Sequence, residues 1–200
     1  MRADQRSTLA AALWPVAASS RAVAAARAGV LVVLGALALT LSAKAQVPFY
    51  PVPMTLQTLV VLALASALGA RLAVGAVALY LIEGALGLPV FAGTPEKGLG
   101  LFYMMGPTGG FLVGFLAAAA FVGFCADRGW DRSALRMLGV MSLGHALIFA
   151  FGYAWLASML GAKIAWDAGV APFIAATIVK TLLAAALVAG SWKLIARLRG

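Results

Sequence analysis

Three ionisable side chains stand inside apolar runs of this 200-residue chain: Glu83, His145 and Lys180. An ionisable residue at such depth marks a functional site by default, because even insertion scales put the cost of a mid-span lysine at about 2.5–3.5 kcal/mol. Lys180 lies about twelve residues from either end of its run, roughly 18 Å at 1.5 Å per residue. That is too deep for its stem to lift the ammonium easily to water. It therefore calls for an internal partner or an anionic ligand. Glu83 is shallower, and a structural partner and a ligand are equally open for it; on a facing helix it is also a possible counter-ion for Lys180. His145 suits a hydrogen bond between helices. Glu83 and His145 as acid and base would also serve a small membrane enzyme, and a non-transporting helical subunit is a third reading.

Catalysis finds little else to work with. There is one histidine and one cysteine, Cys125, no metal-ligand cluster, no cofactor motif and no nucleophile beside a base. The run Gly106-Pro-Thr-Gly-Gly110 lacks the Lys-Ser/Thr ending of a phosphate loop, so the chain has no nucleotide-hydrolysing motif of its own.

The elements that hold these residues are membrane helices. The chain is 64% hydrophobic and 10% charged, with a mean hydropathy of +1.03, where a soluble domain is about half apolar and a quarter charged. Spans of about 20 residues leave room for roughly six, at about 28–43, 54–70, 72–88, 107–126, 137–161 and 168–192. This predicts an all-α integral membrane protein with a membrane domain over 28–192. An N-terminal segment, 1–27, lies at the surface, although Ala17-Ala18-Ser19 also resembles a signal-peptide cleavage site. A basic tail occupies 193–200.

Irregular chemistry interrupts the spans at three places. The stretch Gln46-Val-Pro-Phe-Tyr-Pro-Val-Pro-Met-Thr-Leu-Gln57 is extended or re-entrant, since each residue before a proline leaves the α region. Gln57 then enters the second span, and Arg71 alone separates that span from the third, where Tyr80 and Glu83 share a face at i and i+3. From Gly84 to Gly114 there are nine glycines, with Pro89, Pro95 and Pro107 among them. No single helix tolerates that density, and non-helical backbone at a membrane survives where it is buried or lines a cavity. A structured wall or lid is expected there, with the 92–101 loop ordering on ligand. The third place is a polar loop at 161–167.

Basic residues set the orientation. Arg2, Arg6, Arg21, Arg27, Arg71, Arg128, Arg132, Arg136, Lys193, Arg197 and Arg199 fall on one side, against Lys44, Lys97 and Lys163 on the other. The positive-inside rule puts both termini in the cytoplasm and the irregular segments outside. The net charge of +9 is thus accounted for by a cell-membrane topology, without nucleic acid. In the first span Gly35, Ala38 and Ser42, with Ala36 and Thr40 beside them, form the small-residue rows that let helices approach closely. They are a candidate partner face.

Three runs together carry a resemblance: Val52-Pro-Met-Thr-Leu-Gln57, Tyr80-Leu-Ile-Glu-Gly-Ala-Leu-Gly-Leu-Pro-Val-Phe91 and Gly106-Pro-Thr-Gly-Gly-Phe-Leu-Val-Gly-Phe115. In this order, over residues 29–192, the chain resembles the BioY family, the biotin-specific substrate-binding (S) components of energy-coupling-factor (ECF) vitamin transporters. The resemblance implies a six-helix protein that captures biotin from outside and works with a transmembrane coupling protein and two ABC-type ATPases. Family members often carry Asp three residues before the final-helix lysine and Gly-Asn in the fifth helix; here those positions hold Thr177 and His145. A biotin pocket needs apolar walls with a few placed polar groups. Phe49, Tyr80, Phe91 and Tyr103 are expected as walls, Gln57, Glu83, Thr108 and His145 at the ureido ring, and Lys180 at the carboxylate.

Overall fold

The computed structural model describes residues 8–15 and 21–199; Arg2, Arg6 and the Ala17-Ala18-Ser19 run lie outside them. Among the described residues, nine α-helices follow in order: α1 Leu9–Leu13, α2 Arg21–Lys44, α3 Gln57–Leu68, α4 Ala70–Ala85, α5 Gly100–Met104, α6 Gly109–Asp127, α7 Ala134–Leu160, α8 Ala162–Gly169 and α9 Ile174–Arg199.

Helix α6 is the centre of the bundle. Of its most apolar window 67% is buried, against 17% for α2. Helices α3, α4 and α7 pack around it, while α2 lies on α3 and α4, and α9 on α3 and α7. The regions Arg21–Lys44, Gly109–Asp127, Ala134–Leu160 and Ala162–Arg197 are long and apolar enough to cross a membrane. Helices α3 and α4, with 12 and 16 residues, are shorter than the spans expected at 54–70 and 72–88. Proline chemistry takes the first residues of one out of the helix, and the glycine-rich run ends the other early.

The Pro-rich stretch folds as a hairpin. Strand β1, Gln46–Val47, pairs antiparallel with β2, Met54–Thr55, in the register Gln46↔Thr55 and Val47↔Met54. Its three prolines sit in the connection, where no ladder donor is required. The α3–α4 break falls at Gly69 rather than at Arg71. Gly69 has φ 79° and ψ 172°, a conformation open to glycine alone. Behind it the Asp127 carboxylate accepts the Ala70 N–H at 3.1 Å and so caps α4.

Other segments depart from the sequence expectation. The 161–167 loop is helical, within α8, and its Lys163–Asp167 ion pair at 2.6 Å has the i,i+4 spacing that supports a helix. Pro107 stands outside α6, which begins at Gly109. Helix α9 continues through the basic residues to Arg199. Near the start, α1 buries Leu9 and Ala12 against α3 and α9.

The small-residue rows of α2 also differ from the reading as an open face. Gly35, Ala36 and Ser42 are buried within the chain, and a Cβ on Gly35 would stand 2.6 Å from that of Ala76 on α4. Ala38 and Thr40 are half-buried. The row exists because α2 and α4 approach closely. The outward side of α2 carries Val33, Leu34, Leu37 and Leu41.

Candidate functional site

A cavity of about 590 Å³, counted to its open mouth, lies between the hairpin, α3, α4, α6, α7 and α9. Phe111, Phe115, Ile148, Phe149 and Phe173 give it an apolar and aromatic wall. Facing them are the polar groups of Thr55, Gln57, Thr58, Tyr80, Tyr103, Thr108, Thr177 and Lys180. Among the described residues, no aspartate or glutamate lines it.

Lys180 enters from α9. Its ammonium donates to the Thr55 carbonyl oxygen at 2.6 Å, which ties α9 to the hairpin and uses one of three N–H donors. The expected Glu83 counter-ion is not in place. Helices α4 and α9 each pack on α3, and the Glu83–Lys180 pair does not occur among the described residues. Lys180 is thus a cation in a cavity without an acidic partner.

Gln57 and Tyr80 form a buried polar pair across the α3–α4 contact, the Gln57 amide donating to the Tyr80 hydroxyl at 2.7 Å. Gln57 Oε1 accepts the Thr55 hydroxyl at 3.3 Å. Beside them, the Thr58 hydroxyl is buried and has no hydrogen-bond partner among the described residues. A buried hydroxyl left open is costly in an empty protein and suits a ligand that bonds to it.

The glycine-rich run builds a further wall of the cavity. Gly84 carries no Cβ where the Phe91 ring lies against α4; a Cβ there would overlap that ring. Phe91 stacks on Tyr103, with centroids 4.8 Å apart at 17°, and meets Tyr80 edge-on at 5.3 Å and 85°. The Tyr103 hydroxyl donates to the Ala92 carbonyl at 2.9 Å, and burial pushes its pKa up.

Of the nine residues singled out in the sequence, Gln57, Tyr80, Tyr103, Thr108 and Lys180 line the cavity. Phe91 supports the wall from behind. Phe49, partly exposed, stands 5.9 Å from the cavity residue Phe173 at the rim. Glu83 is half-buried and lies off the lining; a step of three residues turns a helix by about 300°, which separates it from Tyr80 by a sixth of a turn. His145 is buried between α7 and α9 with Nδ1 2.9 Å from the Thr181 hydroxyl. It faces a separate side crevice with Ser142 and Ile178, and Thr177 forms the shared wall. Glu83 and His145 therefore do not meet in one site, and the acid–base pair of an enzyme is not assembled.

Residues 12–197 match the model of the BioY family. The chain belongs to the BioY family. Among its relatives, the biotin transporter BioY of Thermotoga maritima is 37% identical over 140 residues, covering 70% of this chain and 80% of the relative. Biotin transporter BioY2 of Lactococcus lactis is 32% identical over 160 residues, covering 76% and 83%. The fold matches the 2.1 Å crystal structure of the S-component for biotin from an ECF-type ABC transporter, with a TM-score of 0.75 at 20% identity, over 88% of this chain and 95% of that one. Membership of the BioY family makes this a multi-pass protein of the cell membrane and a transport component, not an enzyme. The BioY match spans α2 to α9 and so includes every helix that lines the cavity.

Proposed function

We propose that this chain captures biotin at the extracytoplasmic face of the membrane and passes it inward as the S component of an ECF-type transporter. The observation that carries this reading is Lys180, a cation lining an aromatic cavity that holds no acidic side chain. A site of that kind suits an apolar ligand bearing one carboxylate, and biotin is an apolar bicycle with a valeric acid tail. Lys180 takes the carboxylate in a charge-assisted hydrogen bond. Gln57, Tyr80, Thr58 and Thr108 supply donors and acceptors for the ureido group.

Six helices cross the membrane in this reading, with α3 and α4 as the short pair, and both termini are cytoplasmic. Since the sequence has no nucleotide-binding loop, release into the cell draws on a transmembrane coupling protein and ABC-type ATPases. The outward row Val33, Leu37 and Leu41 of α2 is available to such a partner without disturbing the chain's own packing.

Calorimetric titration of the detergent-purified protein with biotin, biotin methyl ester and other vitamins tests this. Saturable binding of unmodified biotin, weaker for the ester, is the expected result. Failure to bind biotin, or turnover of a lipid substrate, overturns it.

A further inference from the structure

The last residue of α2 reaches into the wall of the cavity without touching the cavity itself. Lys44 donates from Nζ to the carbonyl oxygen of Phe91 at 3.0 Å, to that of Thr94 at 3.2 Å and to the Thr94 hydroxyl at 3.0 Å. An ammonium has three N–H donors, and all three are used on a single turn. The Thr94 hydroxyl in its turn donates to the Phe91 carbonyl at 2.7 Å. The 91–94 turn is therefore folded around the ammonium as a cage of oxygens. As the final residue of a helix, the lysine also sits where the helix dipole favours a cation.

What the turn carries makes this more than a surface contact. Ala92 lines the cavity, and its carbonyl accepts the hydroxyl of Tyr103, another lining residue. Phe91 is wedged between Tyr103 and Tyr80. Three lining residues thus depend on where the turn sits, and Lys44 is the contact that ties the turn to α2. We infer that Lys44 is a positioning residue for the ligand site: it holds the 91–94 turn so that Ala92, Tyr80 and Tyr103 form one wall. It bonds to no ligand atom. The inference rests on the biotin-binding reading for its functional consequence and on the geometry of the turn for its structural one.

Wild type, Lys44→Met, Lys44→Arg and Thr94→Val are compared by calorimetry with biotin and its methyl ester, and by hydrogen exchange over residues 90–97. Lys44→Met is expected to bind biotin at least tenfold more weakly, to keep the wild-type ratio of acid to ester affinity, and to exchange faster across the turn. Lys44→Arg restores most of the affinity, and Thr94→Val falls between. Unchanged affinity in Lys44→Met overturns the inference. A loss confined to the free acid also overturns it, since Lys44 would then be a direct carboxylate ligand. If Lys44→Met does not insert, Thr94→Val decides by the same criteria. If the wild type binds no biotin, the proposed function fails, and exchange alone judges the clamp: unchanged protection at 91–94 overturns it, and faster exchange upholds it.

Discussion

Lys180 Nζ and the Thr55 carbonyl oxygen are 2.6 Å apart across 125 residues of sequence. The contact joins the last long helix to the proline-rich hairpin and fixes both at one edge of the cavity. A lysine at this depth needs a polar partner, and a carbonyl oxygen meets only part of the need because it carries no formal charge. Under the proposed function, a ligand carboxylate would complete it.

Replacing Lys180 by Met removes the charge and keeps much of the side-chain volume, so the variant is expected to insert and fold. Biotin binding should fall by on the order of 1.5–3 kcal/mol, the value of a hydrogen bond to a charged group, or roughly ten- to 150-fold. Discrimination between biotin and its methyl ester should shrink with it. Calorimetry checks both. Wild-type affinity would leave Lys180 as a tie between α9 and the hairpin only.

The Gln57–Tyr80 pair predicts an asymmetry. Tyr80→Phe leaves the Gln57 amide buried without its acceptor, a loss of about 1–3 kcal/mol. Tyr80→Phe combined with Gln57→Leu removes both partners and is expected to recover much of that stability while still impairing binding. Thermal unfolding in detergent gives the first comparison and ligand titration the second. Equal stability of the single and double variants would show that the pair is not desolvated.

Asp131 predicts a pH effect away from the site. Its side chain is fully buried between α6 and α7 and accepts the Trp192 indole N–H at 2.7 Å through one oxygen. The other oxygen has no hydrogen-bond partner among the described residues. Burial raises its pKa, against the opposing pull of the Trp192 bond and of Arg132. A carboxyl whose folded pKa exceeds the unfolded value of about 3.9 is favoured in its protonated form. Its contribution to stability is complete below that value and is lost as pH rises through the raised one. Asp131→Asn keeps an acceptor for Trp192 and cannot ionise. The melting temperature of the variant relative to wild type should therefore rise from about pH 4 upward, as scanning fluorimetry would show. A gap independent of pH would mean that Asp131 ionises without penalty.

How much of this was legible in the sequence depended on the kind of signal. Lys180 and Gln57 stood out because polar groups are rare in apolar runs, and both line the cavity. Glu83 and His145 gave the same signal and lie elsewhere, since polarity marks a position as unusual without fixing which way it faces. The apolar lining was hidden for the converse reason. Phe111, Phe115 and Ile148 look like any other residue of a helix that is hydrophobic all round. Thr58 gives no signal in the sequence because a threonine in a membrane helix usually bonds its own backbone. Helix α8 looks like a loop in the sequence because its polar face outweighs its short apolar one. The prolines mark the hairpin as non-helical, but its pairing is not legible, because two-residue strands leave no periodic pattern.

The first-span rows make the last case, in which a spacing was legible and its partner was not. Gly35 faces Ala76 so closely that a Cβ would stand 2.6 Å away, with Leu64 and Leu68 also in contact at 3.8 Å. Gly35→Leu must therefore push α2 away from α4 or distort the side chains between them, and overpacking of this kind costs about 1–3 kcal/mol. The variant is expected to melt earlier in detergent as the isolated subunit. It should also bind biotin more weakly, because displacing α2 moves Lys44 and with it the 91–94 turn. Leu37→Ser, on the outward side, should leave both properties near wild type and weaken only co-purification with the coupling protein. Thermal melts, biotin titration and pull-down of the two variants separate these outcomes. If Gly35→Leu kept stability and biotin affinity but lost the partner, the small-residue row would be the docking face after all.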